Sequence, residues 1–321
     1  MTETVQRIVE AIRHSRTALV TSHEGPDGDA VGASLGLAAF LRAIGKDVVV
    51  HLADPVPELY RFLPGADQVL QTIPDQEYDL AFVLDVGEFR RAGALFCGFE
   101  RIGATINLDH HLTCEQFGSI NLIDEKAAAT GLLIWRIAKQ YGFQADYATA
   151  LCLYVAILTD TGAFRYSNAN REAFEAAGEL LEQGGLSAWD VAEKLYESQP
   201  RKRLELLSKV LPTLEFVRGG QVASITVTLD MYAATGTNAE MTDGFVNYPR
   251  SVAGVEVAVL FRQLEEGRYK IGFRSKGTVN VAALAQSFGG GGHHNAAGGV
   301  VAGSLAEVKQ LVYGAIEAAQ W

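Results

Sequence analysis

The chain has 321 residues, 48% hydrophobic and 20% charged, a composition that excludes a disordered chain and suits two domains with separate cores. Its net charge is −11: residues 1–210 hold 19 Lys and Arg against 29 acids, and the remainder 8 against 9, which argues against gripping long nucleic acid through its phosphates. No apolar run approaches the ~20 residues of a bilayer span, and the opening MTETVQRIVEAIRHSR lacks an apolar leader, so a cytoplasmic protein with no membrane attachment is expected.

Strand-like runs recur at 18–22, 47–52, 80–85, 105–108 and 119–123, with helical patterns at 30–44, 128–141 and 147–158. This alternation predicts an α/β fold, a mostly parallel sheet flanked by helices, whose chemistry belongs at the carboxyl ends of the strands. Beyond 171–183 helical spacing continues through LSAWDVAEKLYES and RKRLELLSKVLPTL, a helical connector. GGQVASITVTL and VEVAVLFRQLEEGRYKIGFRS then alternate about turns at Gly219-Gly220 and Glu266-Gly267, and read as antiparallel strands of a smaller α+β domain running from about Leu211. The cysteines, Cys97, Cys114 and Cys152, are odd in number and far apart, so a disulfide framework or zinc ribbon is not expected; they read as small buried apolar residues.

The chemistry-bearing residues gather at predicted strand ends: His23, Asp27 and Asp29 in SHEGPDGDAVGASLG, Asp85 after LAFVL, Asp109, His110 and His111 after TINL, and Asp160 in TDTGAFRYSN. Taken singly, each has a plainer reading: Gly25 to Gly28 form turns, Asp caps the helix that follows, and Asp85 closes a strand. Together, so many carboxylates at one edge repel unless divalent cations intervene. Oxygen ligands with imidazoles and no thiolate suit Mn²⁺ or Mg²⁺, with imidazole favouring Mn²⁺, and a pair of ions suits displacement at phosphorus. Five of the seven histidines lie in three Gly- or Asp-rich clusters, the third being FGGGGHHNAAGG at 288–299. There the glycines predict close approach of backbone N–H groups to a phosphate, with His293 where a further helical segment could begin. Upstream, Arg262, Arg268, Lys270, Arg274 and Lys276 face only Glu265 and Glu266, and Arg262 and Arg274 could share a side with the glycine loop.

These motifs, with LDVG, DHH and FRSKGTVNVAALAQSFGGGGHHNAAGG, resemble the DHH phosphoesterase superfamily with its DHH-associated C-terminal domain, closest to the branch of bifunctional oligoribonucleases and PAP phosphatases (nanoRNases). The resemblance implies a catalytic metal-binding domain at 1–185, a helical connector at 186–210 and a substrate-binding domain at 211–321. It implies two Mn²⁺, with Mg²⁺ as the alternative. His23, Asp27 and Asp85 would hold one ion, while Asp29, Asp85, His110 and Asp160 would hold the other. Asp109 would orient the histidines, and His111 would act as general acid or charge stabiliser. Arg262, Arg274, Ser275, Gly291, Gly292 and His293 would receive the substrate's far phosphate and base. Glu88 stands where relatives often carry Asp. The implied activity is hydrolysis of very short oligoribonucleotides and of the 3′-phosphate of adenosine 3′,5′-bisphosphate; the implied partners are those small anions, not long nucleic acid or a membrane. The resemblance leaves a homodimer open. Alternatives are a linear-dinucleotide phosphodiesterase, an exopolyphosphatase or pyrophosphatase, and a non-catalytic nucleotide sensor.

Overall fold

The computed structural model describes residues 2–111, 114–319 and 321. The chain divides into two compact units, Met1–Ser198 and Gln199–Trp321, and the division falls inside the 186–210 stretch.

In the first unit, helix α1 (Thr2–His14) leads to strand β1 (Thr17–Ser22), α2 (Gly28–Ala43) and β2 (Asp47–Val50), then β3 (Tyr78–Leu84), the short α3 (Ala94–Cys97), β4 (Ile102–Asp109) and β5 (Ile120–Ile123). Helices α4 (Thr130–Tyr141), α5 (Tyr147–Asp160), α6 (Arg171–Gly184) and α7 (Ala188–Ala192) follow. The strands pair in the order β2-β1-β3-β4-β5, all parallel. Leu19, Val20, Ala81, Phe82 and Val83 are buried consecutively, because both faces of a parallel sheet are covered by helices. The chain leaves β1 for β2 on one side and crosses to β3 on the other. That reversal makes the carboxyl ends of β1 and β3 a switch point, where open α/β sheets bind ligands.

Helices α2 and α5 pack closely because α2 carries a glycine stripe. A Cβ on Gly28 would lie 2.4 Å from Thr159 Oγ1, one on Gly36 2.5 Å from Leu153 Cδ2, and one on Gly32 2.6 Å from the Cys152 carbonyl oxygen and 2.9 Å from the Ala156 nitrogen. These glycines are therefore helix–helix contacts as well as companions of the preceding turn. Their consequence is chemical: Asp29 near the start of α2 is brought beside Asp160 at the end of α5.

The second unit contains α8 (Arg201–Val210), β6 (Glu215–Val217), β7 (Val222–Val227), α9 (Leu229–Thr235), α10 (Asn247–Ser251), β8 (Val257–Glu265), β9 (Arg268–Ser275), α11 (Val281–Gln286), β10 (Gly291–His293), β11 (Ala296–Ala302) and α12 (Leu305–Ala318). Its sheet order is β10-β11-β9-β8-β7-β6. Val308, Val312 and Ile316, at four-residue spacing on α12, join Val257, Val259, Phe261 and Ile271 in one core, and Leu206, Leu207 and Val210 of α8 join Ile225, Val227 and Phe245 in another. Two sequence expectations need correction. The strands are not all antiparallel: β7 and β8 run parallel, because the segment carrying α9 and α10 crosses over between them. The 288–299 glycine run does not lead into a helix at His293 but forms the β10–β11 hairpin, and the next helix starts at Leu305. Cysteine burial also differs by position, since Cys152 is buried and Cys97 exposed.

Because Gly32 faces backbone atoms that cannot swing aside, Gly32→Ala should destabilise the first unit by ~1 to 3 kcal/mol through overpacking, measured by denaturant unfolding. Gly178→Ala, where a Cβ meets nothing within 4 Å, is the control and should be neutral or stabilising.

Candidate metal centre

Strand β1 delivers His23, a buried ring whose Nδ1 donates to the Glu24 carbonyl at 2.9 Å. Its Nε2 lies 3.9 Å from Asp27 Oδ1 and 3.8 Å from Asp85 Oδ2. Asp27 also caps α2, accepting from the Asp29 and Ala30 amides at 3.1 Å each, so the cap and the cluster share one side chain.

Asp85 directly follows strand β3, and its φ of +59° lies in the left-handed region. That conformation costs a non-glycine residue ~1 to 2 kcal/mol. It is held by a bond from the Asp85 amide to the Leu108 carbonyl at 2.9 Å and one from Thr130 Oγ1 to Asp85 Oδ1 at 3.2 Å. Strand β4 delivers Asp109, His110 and His111. Asp109 is fully buried; its Oδ1 accepts from the His111 amide at 2.8 Å and from His111 Nδ1 at 2.7 Å, while its Oδ2 accepts from the Gly87 amide at 2.7 Å. His110 Nδ1 donates to the Ala127 carbonyl at 3.1 Å, which directs Nε2 at carboxylates: Asp85 Oδ1 at 3.4 Å, Asp29 Oδ2 at 3.7 Å and Asp160 Oδ2 at 3.8 Å. Asp29 accepts from the Thr130 and Gly131 amides at 2.6 and 2.9 Å, at the N-terminus of α4.

Among the described residues, three groups of donor atoms lie mutually within 4.8 Å: His23, Asp27 and Asp85; Asp29, His110 and Asp160; and Asp85, His110 and His111. Asp85 belongs to two of them. Burial raises the Asp29 carboxyl well above the usual range, with Asp85 and Asp160 adding to the rise, and burial pushes Asp160 up to about 6. Burial would raise Asp85 too, but its bond to His110 and the charges of His111, His110 and His23 outweigh that and hold it far below the usual range. His110 is raised well above an ordinary imidazole: burial opposes this, and Asp85, Asp160 and Asp29 overcome it. Burial and the neighbouring carboxylates together thus favour added positive charge at Asp29, Asp160 and His110. Divalent ions fit the same demand and the same donors, hard oxygens with imidazole nitrogen. Thiolate does not enter, since burial, with Asp109 nearby, pushes the Cys114 thiol up to about 12.

In the second unit, strand register puts Arg262 and Arg274 on one pleat face: Arg274 pairs with Ala258, two pairs of residues from Arg262, which itself pairs with Lys270. Between the two arginines the cross-strand row Gly291, Gly298, Gly272 and Leu260 contains three glycines, leaving a low floor between basic residues. Gly291 has nothing within 4 Å of a would-be Cβ, whereas one on Gly292 would lie 2.5 Å from the Ala296 carbonyl oxygen, so that glycine is required by the hairpin itself. Ser275 falls on the opposite pleat, buried, with its hydroxyl donating to Asn295 Oδ1 at 3.0 Å. The side chain of His293 lies outside the described residues. Thr130 and Asn168, which touch Asp85 and Asp160 respectively, carried no sequence signal of their own beyond the presence of Asn168 in TDTGAFRYSN.

The family descriptions that match are the DHH family, N-terminal domain, over residues 17–157, and the DHHA1 domain, over residues 220–318. The bifunctional oligoribonuclease and PAP phosphatase NrnA of Thermus thermophilus is 35% identical over 88% of this chain and 84% of its own length. A probable enzyme of the same name from Streptococcus mutans is 28% identical over 88% of this chain and 89% of its own length. The crystal structure of an exopolyphosphatase-related protein from Bacteroides fragilis superposes with a TM-score of 0.91 at 29% identity, covering 99% of this chain and 96% of that one.

The raised groups give a signed pH dependence. Asp29, Asp160 and His110 bind protons more tightly in the fold than in the unfolded chain, so their stabilisation of the metal-free protein is present at low pH and lost as pH rises, through about 6 for Asp160. An ion that replaces those protons binds more tightly over the same interval. Mn²⁺ should therefore raise the Tm of the metal-depleted protein by a larger increment at about pH 8 than at about pH 5, read by calorimetry. Equal increments would mean that the ion binds away from these carboxylates.

Proposed function

The chain belongs to the DHH family, and on that premise we propose that it is a metal-dependent phosphohydrolase of very short oligoribonucleotides and of the 3′-phosphate of adenosine 3′,5′-bisphosphate. The observation that carries this reading is Asp85: one strained carboxylate at the switch point of the sheet, shared by two groups of donors that could hold an ion, one with His23 and Asp27 and one with His110 and His111. The relatives named for oligoribonuclease and PAP phosphatase activity over most of the chain supply the substrate class. No helix among the described residues is long and apolar enough to cross a membrane.

In this reading His23, Asp27 and Asp85 hold one Mn²⁺, and Asp29, Asp85, His110 and Asp160 hold a second. When bound, such a pair supplies Lewis-acid charge at the scissile phosphate. The remaining roles belong to the chain. Asp109 fixes the His111 ring through Nδ1, so Nε2 is the atom by which His111 addresses the substrate. The His111 imidazole is raised: burial would lower it, but the Asp109 bond and the Asp85 charge prevail. A ring so held keeps a proton at Nε2 to give to the leaving oxygen. Arg262 and Arg274 take the substrate's distal phosphate, the glycines at 291 and 292 with His293 border that face, and Ser275 braces it through Asn295.

The test is a panel of di- to tetranucleotides, adenosine 3′,5′-bisphosphate, pyrophosphate and polyphosphate, with Mn²⁺ and with excess chelator. Preference for polyphosphate, which the name of the exopolyphosphatase-related protein from Bacteroides fragilis points to, would replace the nucleotide reading; undiminished turnover in chelator would remove the metal one. His111→Ala should lower kcat by ~10² to 10⁴ with KM and Mn²⁺ uptake retained, the pattern of a lost general acid. Collapse of Mn²⁺ uptake would make His111 an ion ligand, as its presence in the third donor group allows. Arg274→Ala should cost ~10- to 100-fold in kcat/KM on the short oligonucleotides, a charge-assisted phosphate contact being worth ~1.5 to 3 kcal/mol, and leave a small chromogenic phosphodiester unaffected.

A further inference from the structure

The stretch 127–131 touches two members of the Asp29, His110 and Asp160 group directly and is linked to the third through one side chain. The Ala127 carbonyl accepts from His110 Nδ1 at 3.1 Å, and the Thr130 and Gly131 amides donate to the two oxygens of Asp29 at 2.6 and 2.9 Å. Asp160 is reached from the same stretch through Asn168. Asn168 Nδ2 donates to the Ala128 carbonyl at 3.0 Å, to the Asp160 carbonyl at 3.1 Å and to Asp160 Oδ2 at 3.3 Å. Two of these acceptors are backbone carbonyls, which cannot donate, so the amide nitrogen must face them and the orientation of the Asn168 side chain is fixed.

The surroundings hold this arrangement from both sides. The Asp124 amide donates to the Asp109 carbonyl at 3.0 Å, and Arg136 joins Asp124 Oδ2 at 2.6 Å to Glu172 Oε1 at 2.6 Å, anchoring the start of the stretch. Asn170 Nδ2 donates to the Lys126 carbonyl at 2.9 Å. After Asp160 the chain turns back through Gly162, Ala163 and Phe164, all left-handed with φ of 57°, 58° and 59°, and so returns Asn168 to the carboxylate that precedes it.

We propose that Asn168 is a positioning residue that sets Asp160 for the ion held with Asp29 and His110, by tying it to the stretch that orients the other two. This rests on the metal reading above. It acts on one ion of the pair, because Asn168 touches no member of the His23, Asp27 and Asp85 group in the contacts described.

Metal-depleted wild type and Asn168→Ala are titrated with Mn²⁺, counting bound ions by calorimetry and following spin coupling between them by electron paramagnetic resonance, with the Tm of each metal-free protein recorded. One equivalent should weaken by about 10- to 100-fold, as for loss of an outer hydrogen bond to a ligand, with the other equivalent and the metal-free Tm unchanged. The spin-coupled signal should give way to that of an isolated ion at low Mn²⁺. Wild-type uptake in Asn168→Ala overturns the proposal alone, and so does equal weakening of both ions with a lowered metal-free Tm, which marks a structural role. A wild-type protein that binds no Mn²⁺ overturns the metal reading and this proposal with it. Should the alanine variant not fold, Asn168→Leu, of similar size, with no group to donate to the Ala128 or Asp160 carbonyls and no added charge, carries the same outcomes.

Discussion

Donor atoms of the buried Asp29 and the half-buried Asp160 lie within 4.8 Å of each other, and holding two carboxylates so close is the constraint around which the first unit is built. Two full charges at that distance cost about 3 to 4 kcal/mol at an effective dielectric of ~20, comparable to a sizeable fraction of a domain's net stability. Folding does not avoid the encounter. It places amide dipoles from the start of α4 against Asp29 and the His110 ring between the carboxylates. Burial first, and then the neighbouring carboxylates, raise the proton affinity of Asp29 and Asp160, and the carboxylates raise that of His110 against its burial, so added positive charge is favoured at this place.

Several otherwise unrelated features serve that encounter. The glycine stripe of α2 sacrifices helix propensity, about 1 kcal/mol at each glycine, to bring α2 against α5, and without that approach the two carboxylates would not meet. The left-handed Asp85 turns its carboxylate out of the strand direction and toward both His23 and His110, where an extended residue would continue along β3. Backbone strain at this point is retained because the Leu108 carbonyl and Thr130 hydroxyl hold both its amide and its side chain.

The parallel sheet was legible in the sequence because strands covered on both faces are apolar without interruption, and that signal needs no knowledge of their neighbours. The convergence of His23, Asp85 and the DHH residues followed from it, since residues just past the strands share an edge. What remained hidden depends on distant partners. Gly28, Gly32 and Gly36 look like turn residues until α5 is placed against them. The pairing of β7 with β8 turns on a crossover whose helices, α9 and α10, are too short to announce themselves by periodicity. The glycines at 290 and 292 suggested room for a phosphate, but a Cβ on either would strike the backbone of β11, so the hairpin itself demands them. Asn168 was invisible as an individual residue because two of its acceptors are main-chain carbonyls, which leave no mark on composition.

The two units treat charge in opposite ways. The first concentrates carboxylates at the sheet edge; the second sets Arg262 directly across from Lys270, with Arg274 on the same face, so that cations are gathered there. The overall −11 conceals both. Exposed charges are screened beyond about 8 to 10 Å at physiological ionic strength, so each of these rows acts on what lies close to it and not through the net charge of the chain. The first 210 residues carry ten more acids than bases, an excess that opposes rather than attracts a polyanion.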